Sequence, residues 1–272
     1  MKEIHIEEIK KIQLDILTKI HEYCIKNNIR YFLAYGTLIG AIRHKGYIPW
    51  DDDIDIAMPR PDYNKFIKSF NGYSKNLIVL APELDWKYYA PYANVCDNRT
   101  ILYEGENRHN GQKIGIKIDI FPIDGVPSDK QEYYKIFNTA NKYNWFLRFK
   151  RFPLKYFIKG NLNQRIKKIL IWFFMHFISY ECMQKKIHKL STNTLYSVAK
   201  YATQVTFTYD KIYFDKKIFE EYIDVDFEGK KFKSIKEYDI YLKALYGNYM
   251  ELPPIESRID HHDFKAYWIE YK

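Results

Sequence analysis

Apolar positions recur at helical spacing from about Ile6 to Lys26, with Ile9, Ile12, Ile16, Ile20 and Tyr23 on one side. That period predicts an amphipathic N-terminal helix whose default role is to pack against a core. The aromatic and apolar run Tyr31 to Tyr35 reads as a short strand, Gly36-Thr37 as a turn, and Leu38 to about His44 as a short helix. The period then shortens to two. Asp53, Ile54, Asp55 and Ile56 alternate acid with apolar, and Ile114, Ile116, Ile118 and Ile120 alternate with Lys113, Gly115, Lys117 and Asp119. Both stretches predict strands whose isoleucines face a core and whose acids face the other way. Past Pro122, Asp124 reads as a turn residue. After Asp129 the chain turns helical and aromatic, and from about Thr203 it becomes mixed. An amphipathic segment from Ile235 to Tyr246 is expected to end at Pro253 and Pro254. The pattern predicts an α/β (α+β) fold, a small mixed sheet bearing the acids, wrapped by an N-terminal helix and a helical insertion.

The acids carry the candidate chemistry. Residues i and i+2 of a strand lie roughly 6.5 to 7 Å apart on one face, so the Asp53 and Asp55 carboxylates can converge on one or two hard cations. Asp51 and Asp52 crowd further negative charge beside them and are given a secondary place. An all-oxygen donor set points to magnesium or manganese, because zinc would bring His or Cys into the cluster. The ordinary reading of a DDD run is a solvated turn. Trp50, Ile54, Ile56 and Met58 argue against it by making the segment partly buried. Asp119 is the expected third acid, with Asp124 as its rival. Upstream, the amides at the start of the short helix, with Gly36 and the Thr37 hydroxyl, could hold a phosphate. Arg43, His44 and Lys45 at its other end could contact substrate phosphates or simply complement the helix dipole.

Composition narrows the partners. The chain has 272 residues, is 47% hydrophobic and carries a net charge of +9, enough to bury one substantial core and to favour an anionic partner. No nucleic-acid module is visible, so phosphate-rich glycan or anionic lipid fits better than nucleic acid. Twenty-six tyrosines could supply ring faces for a quaternary ammonium or a sugar, although most are expected in packing. The segment Lys87 to Val95, KYYAPYANV, is the stretch placed near the site. Arg165 to Tyr180, RIKKILIWFFMHFISY, is too short to span a bilayer. It reads either as an interfacial helix or as a buried one, and its apolar residues surround the helix, which favours burial. Three isolated cysteines, Cys24, Cys96 and Cys182, and no secretory signal lead to the expectation of a cytoplasmic protein, with a peripheral seat on the inner membrane face as the interfacial reading implies.

The segment FLAYGTLIGAIRHKGYIPWDDDIDIAMPR, Phe32 to Arg60, resembles the core motif of the LicD family, which includes bacterial phosphocholine transferases and has fukutin and the fukutin-related protein as eukaryotic relatives. YMELPPIESRIDHHDFKAYW, Tyr249 to Trp268, resembles the family's C-terminal signature, while residues 128–201 carry no matching motif. The resemblance implies a nucleotidyltransferase-like core within a single catalytic domain, 1–272. Its parts would be an N-terminal helix (1–28), the core (29–127), a helical insertion (128–202) and a C-terminal segment (203–272). It implies Asp53, Asp55 and Asp119 as metal-binding catalytic acids, and a glycine turn at Gly36 in which Thr37 replaces the group's usual Gly or Ser. Arg43, Lys45, His261 and His262 would lie near the donor, and Arg258 and Lys265 would add further donors. The implied reaction is transfer of phosphocholine, or a related phosphorylated substituent, from a CDP-linked donor such as CDP-choline to a hydroxyl of a cell-surface glycan precursor such as teichoic acid or lipopolysaccharide. The alternatives are nucleotidyl transfer to a small sugar phosphate or alcohol, and a silent glycan- or lipid-binding module.

Overall fold

A computed structural model describes residues 1–104, 112–151, 161–207, 211–258 and 264–269. The N-terminal helix α1 (Ile6–Lys26) spans the predicted residues, and its buried side carries Ile9, Ile12, Ile16 and Ile20. It packs across the strands β5 (Ala93–Asp97) and β7 (Lys117–Val126) of the main sheet. That sheet has the order β2-β3-β7-β5-β4, with β2 at Phe32–Leu33, β3 at Asp55–Pro59 and β4 at Leu77–Leu80. Only β3 and β7 run parallel along this path, so the sheet is mixed, as the sequence pattern predicts. Ile56, Ile118, Ile120 and Val95 are buried in one cluster with Ile16, Leu17 and Ile20 of α1. Burial of this apolar face is the main force holding helix to sheet.

The strand β7 is longer than the alternating pattern suggests. It passes through Pro122 and reaches Val126, with residues 124–126 pairing β8 (Tyr201–Thr203). Asp124 is therefore a strand residue, not a turn residue, and it is 0% exposed. Proline is tolerated because β5 pairs β7 only over Lys117–Ile120, so no neighbour on that edge requires the missing N–H. Asp124 is held by Arg60 of α3 (Arg60–Ser69), with Nε to Oδ1 at 2.6 Å and Nη2 to Oδ2 at 3.1 Å. Arg60 also donates to Glu83 at 3.0 Å, and Tyr63 and His188 meet the same Glu83 carboxylate.

Three helices follow the sheet: α4 (Lys130–Arg151), α5 (Leu162–His176) and α6 (Tyr180–Ser191). The residues Leu147, Tyr180, Met183 and Ile187 join α4 to α6. Further along, β9 (Phe214–Asp215) pairs β8, and the hairpin β10 (Tyr222–Phe227) and β11 (Lys230–Ile235) turns through Glu228-Gly229, both at positive φ. The helix α7 (Tyr238–Tyr246) starts three residues later than the amphipathic pattern predicts, because Ile235 still belongs to β11. It ends at Gly247, whose φ of 65° takes the chain out of the helix before the prolines are reached. A separate three-stranded sheet joins β1 (Lys2–Ile4), β12 (Phe264–Trp268) and β6 (Thr100–Glu104).

Candidate active site

The site grows from the link between β2 and β3. The predicted strand is only two residues long. Tyr35 instead opens the helix α2 (Tyr35–Ile39), which widens into a π turn over Gly40–His44. Tyr35 has φ 48°, a left-handed conformation that costs a non-glycine residue about 1–2 kcal/mol. The sharp turn it makes sets Gly36 and Thr37 beside the acid loop. A Cβ on Gly36 would lie 2.7 Å from Asp51 Oδ2, so the bare backbone is what admits that carboxylate. Thr37 is buried, and its Oγ1 accepts the Asp55 N–H at 2.8 Å. Its hydroxyl thus fixes the start of β3 and aims Asp55, a use the sequence reading did not foresee.

Asp55 sits opposite Asp119 in the parallel pairing of β3 and β7, and Asp119 sits opposite Asn94 in the antiparallel pairing of β7 and β5. Residues directly opposite share a face of the sheet, so one row across three strands presents Asp55, Asp119 and Asn94 together. Asp119 Oδ1 accepts from Asn94 Nδ2 at 2.5 Å and from Lys117 Nζ at 2.7 Å. Tyr88 and Tyr89 in turn donate to Asn94 Oδ1. The KYYAPYANV stretch therefore does reach the acids, with Asn94 making the direct hydrogen bond and Tyr92 close enough to feel the Asp119 charge. Asn94 is a polar residue in an otherwise buried strand, and that is the signal that could have marked it.

Asp53 precedes the first paired residue of β3, yet the alternation holds, with Ile54 buried and Asp53 exposed. Among the described residues, Asp51, Asp52 and Asp53 form the one group of three acids whose ligand atoms all approach within 4.8 Å of one another. Asp51 and Asp52, given a secondary place in the sequence reading, thus stand with Asp53 in this group, which does not take in Asp55 or Asp119. Both strand-face acids hold their protons far more tightly than ordinary carboxyls. At Asp55 the causes are desolvation, then the charges of Asp53, Asp119 and Asp51; at Asp53 they are desolvation, then Asp51, Asp119 and Asp52. Asp53 keeps a solvent-exposed edge, so water relieves part of the first effect there and leaves the crowding of like charges. Oxygen donors packed this closely, with a glycine cradle beneath one of them, suit a hard divalent cation.

The cations foreseen near the donor divide. Arg43 donates to the carbonyls of Tyr249 at 2.6 Å and Glu251 at 3.0 Å, tying the π turn to the C-terminal arm. Arg258 of that arm lies over the Trp50 ring at 5.4 Å and donates to Pro253 O. The two segments that carry the resemblance thus meet at Trp50, directly before Asp51. Lys45 is at φ 62°, and its carbonyl accepts the Glu228 N–H in the β10–β11 turn. His261 and His262 lie outside the described residues. Half-buried rings flank the acids: Tyr92 packs on Phe121 at 4.4 Å and on Phe207 at 5.5 Å, and Tyr35 meets Phe121 at 5.3 Å. Burial, and after it the Asp119 charge, raises the Tyr92 hydroxyl well above its ordinary pKa.

The family model described as LicD/FKTN/FKRP, nucleotidyltransferase domain, matches residues 28–163, which include Asp51–Asp53, β3 and β7. The sequence is 32% identical to the lipopolysaccharide cholinephosphotransferase LicD of Haemophilus influenzae over 272 residues, 98% of this chain and 99% of that protein. Uncharacterized proteins of Rickettsia typhi and Rickettsia prowazekii are 48% and 46% identical over 63 residues, 23% of this chain and 20% and 24% of theirs. A family match across the acid-bearing sheet and a relative aligned from end to end place the chain in the LicD family.

Proposed function

We propose that the protein transfers phosphocholine, or a related phosphorylated substituent, from a CDP-linked donor to a hydroxyl of a cell-surface glycan precursor. The observation that carries this reading is the row Asp55–Asp119–Asn94 beside Asp51 and Asp53, in a chain aligned end to end with a lipopolysaccharide cholinephosphotransferase. Asp53 and Asp55, with Asp51 and Asp119 beside them, would hold magnesium or manganese, which neutralises diphosphate charge when bound. The acceptor oxygen attacks the phosphorus that bears choline, the bond to the cytidine-bearing phosphate breaks, and CMP leaves. Asp119, oriented by Asn94 and Lys117, takes the proton of the attacking hydroxyl. Arg258 over Trp50, and Arg43 bound to the same arm, stand where cations could meet donor phosphates, and the exposed parts of Tyr35, Tyr92 and Phe207 offer ring faces to a quaternary ammonium.

Incubation with CDP-choline, magnesium and a lipopolysaccharide or teichoic-acid acceptor should release CMP in step with acceptor labelling. Turnover only with another CDP-linked donor would change the transferred group. Cytidylylated acceptor with free phosphocholine would instead make the enzyme a nucleotidyltransferase, the second reading that the name of the matching domain favours. Gly36→Ala tests the cradle separately. Its methyl group must displace the Asp51 carboxylate, and manganese affinity by titration calorimetry is expected to fall about 10- to 100-fold with the fold intact. Unchanged affinity would remove Asp51 from the ligand set.

A further inference from the structure

We propose that α5 is a docking surface for an anionic lipid bilayer. Ile166, Ile169, Leu170, Phe173 and Phe174 on the helix, and Phe177 just beyond it, are 37% to 74% exposed. At about 3.6 residues per turn these positions fall on one stripe. Ile171, on the opposite side, packs against the cluster that joins α4 to α6. The inner side of the helix is therefore its seat on the protein, and the outer side is an apolar surface that no described core cluster takes in. This overturns the expectation of a buried helix: the apolar residues do surround it, but only one side is covered.

An exposed apolar stripe of this size needs an occupant. Arg165 and Lys167, both exposed, fall on opposite edges of the stripe. That is the layout of a helix lying in the headgroup plane, with rings in the acyl boundary and cations reaching out to phosphates. The net charge of +9 draws the whole molecule to the same surface. A second copy seated in parallel would bring the basic N-terminal ends of the two stripes together, and one seated antiparallel would leave them facing no acid, because α5 carries no Asp or Glu; the phosphates of an anionic bilayer meet them directly. At 15 residues the helix is about 22 Å long, shorter than a hydrocarbon core of about 30 Å, and no described helix is long and apolar enough to cross a membrane.

Flotation of the full chain with vesicles tests this without donor, acceptor or metal, so its outcome stands apart from that of the transferase reading. The protein should float with phosphatidylglycerol–phosphatidylethanolamine vesicles at moderate salt and much less with phosphatidylcholine alone. The double variant Phe173→Glu/Phe174→Glu should bind at least tenfold more weakly, and Arg165→Glu/Lys167→Glu about tenfold more weakly with a shallower salt dependence. All four positions are exposed, and an unchanged melting temperature would verify that the variants fold. Absence of flotation with anionic vesicles would overturn the proposal, as would undiminished binding by the phenylalanine variant. A dimer that this variant dissociates, with no vesicle binding by the parent, would assign the stripe to a second copy.

Discussion

Asp55→Asn is expected to lower group transfer by about 10³-fold or more, because it removes the carboxylate charge that Thr37 aims into the site. The same substitution should make the metal-free protein more stable. Asp55 and Asp53 have folded-state pKa values raised above those of ordinary carboxyls. Between the ordinary value, about 4, and the raised one, the folded protein holds more protons than the unfolded chain, so stability falls as pH rises through that window. The metal-free parent should thus melt highest in mild acid and lose stability toward neutral pH. Magnesium or manganese should restore it at neutral pH and do less in acid, where protons compete for the same oxygens. In Asp55→Asn both the pH slope and the metal-induced rise should shrink. Melting curves over a pH series, with and without metal, measure this directly, and full turnover by Asp55→Asn would sink the assigned chemistry.

Arg60→Ala should cost about 3–5 kcal/mol of folding stability. It would strip Asp124, 0% exposed, of its counter-charge and its two hydrogen-bond donors, and it would free Glu83 from one of its partners. Arg60 also donates to Ser191 at the end of α6, so the loss reaches the contact between the helices and the sheet. Denaturant unfolding should show a lower midpoint. The paired change Arg60→Met/Asp124→Leu should recover much of the loss, because removing both charges costs far less than stranding one. A single variant as stable as the parent would show that the pair contributes no net stability.

The elements that were legible in the sequence are those set by local period. Ile6–Lys26 forms the predicted helix because one apolar stripe decides it, and the acid-apolar alternation places Asp53, Asp55 and Asp119 on the outer side of their strands. What escaped depends on contacts distant along the chain. Pro122 looked like a strand terminator because sequence does not show that β5 has already left that edge. Asn94 gains its role only from strand order. Arg43 reads as a free cation until the arm at Tyr249–Glu251 folds back onto it, 206 residues away along the chain. The apolar residues of α5 announce a helix, but periodicity alone cannot tell a side facing protein from a side facing anything else.

The lateral register of β3, β7 and β5 makes the acid row a discrete device rather than an adjustable one. A one-residue shift of β7 against β3 would put Ile118 or Ile120 where Asp119 stands and turn the acid face apolar at a stroke. Side chains around the row can vary by degrees, whereas the pairing of its strands cannot. New donors or acceptors are therefore to be sought in changes to the loops and helices that frame the sheet, with the three strands inherited unaltered in step.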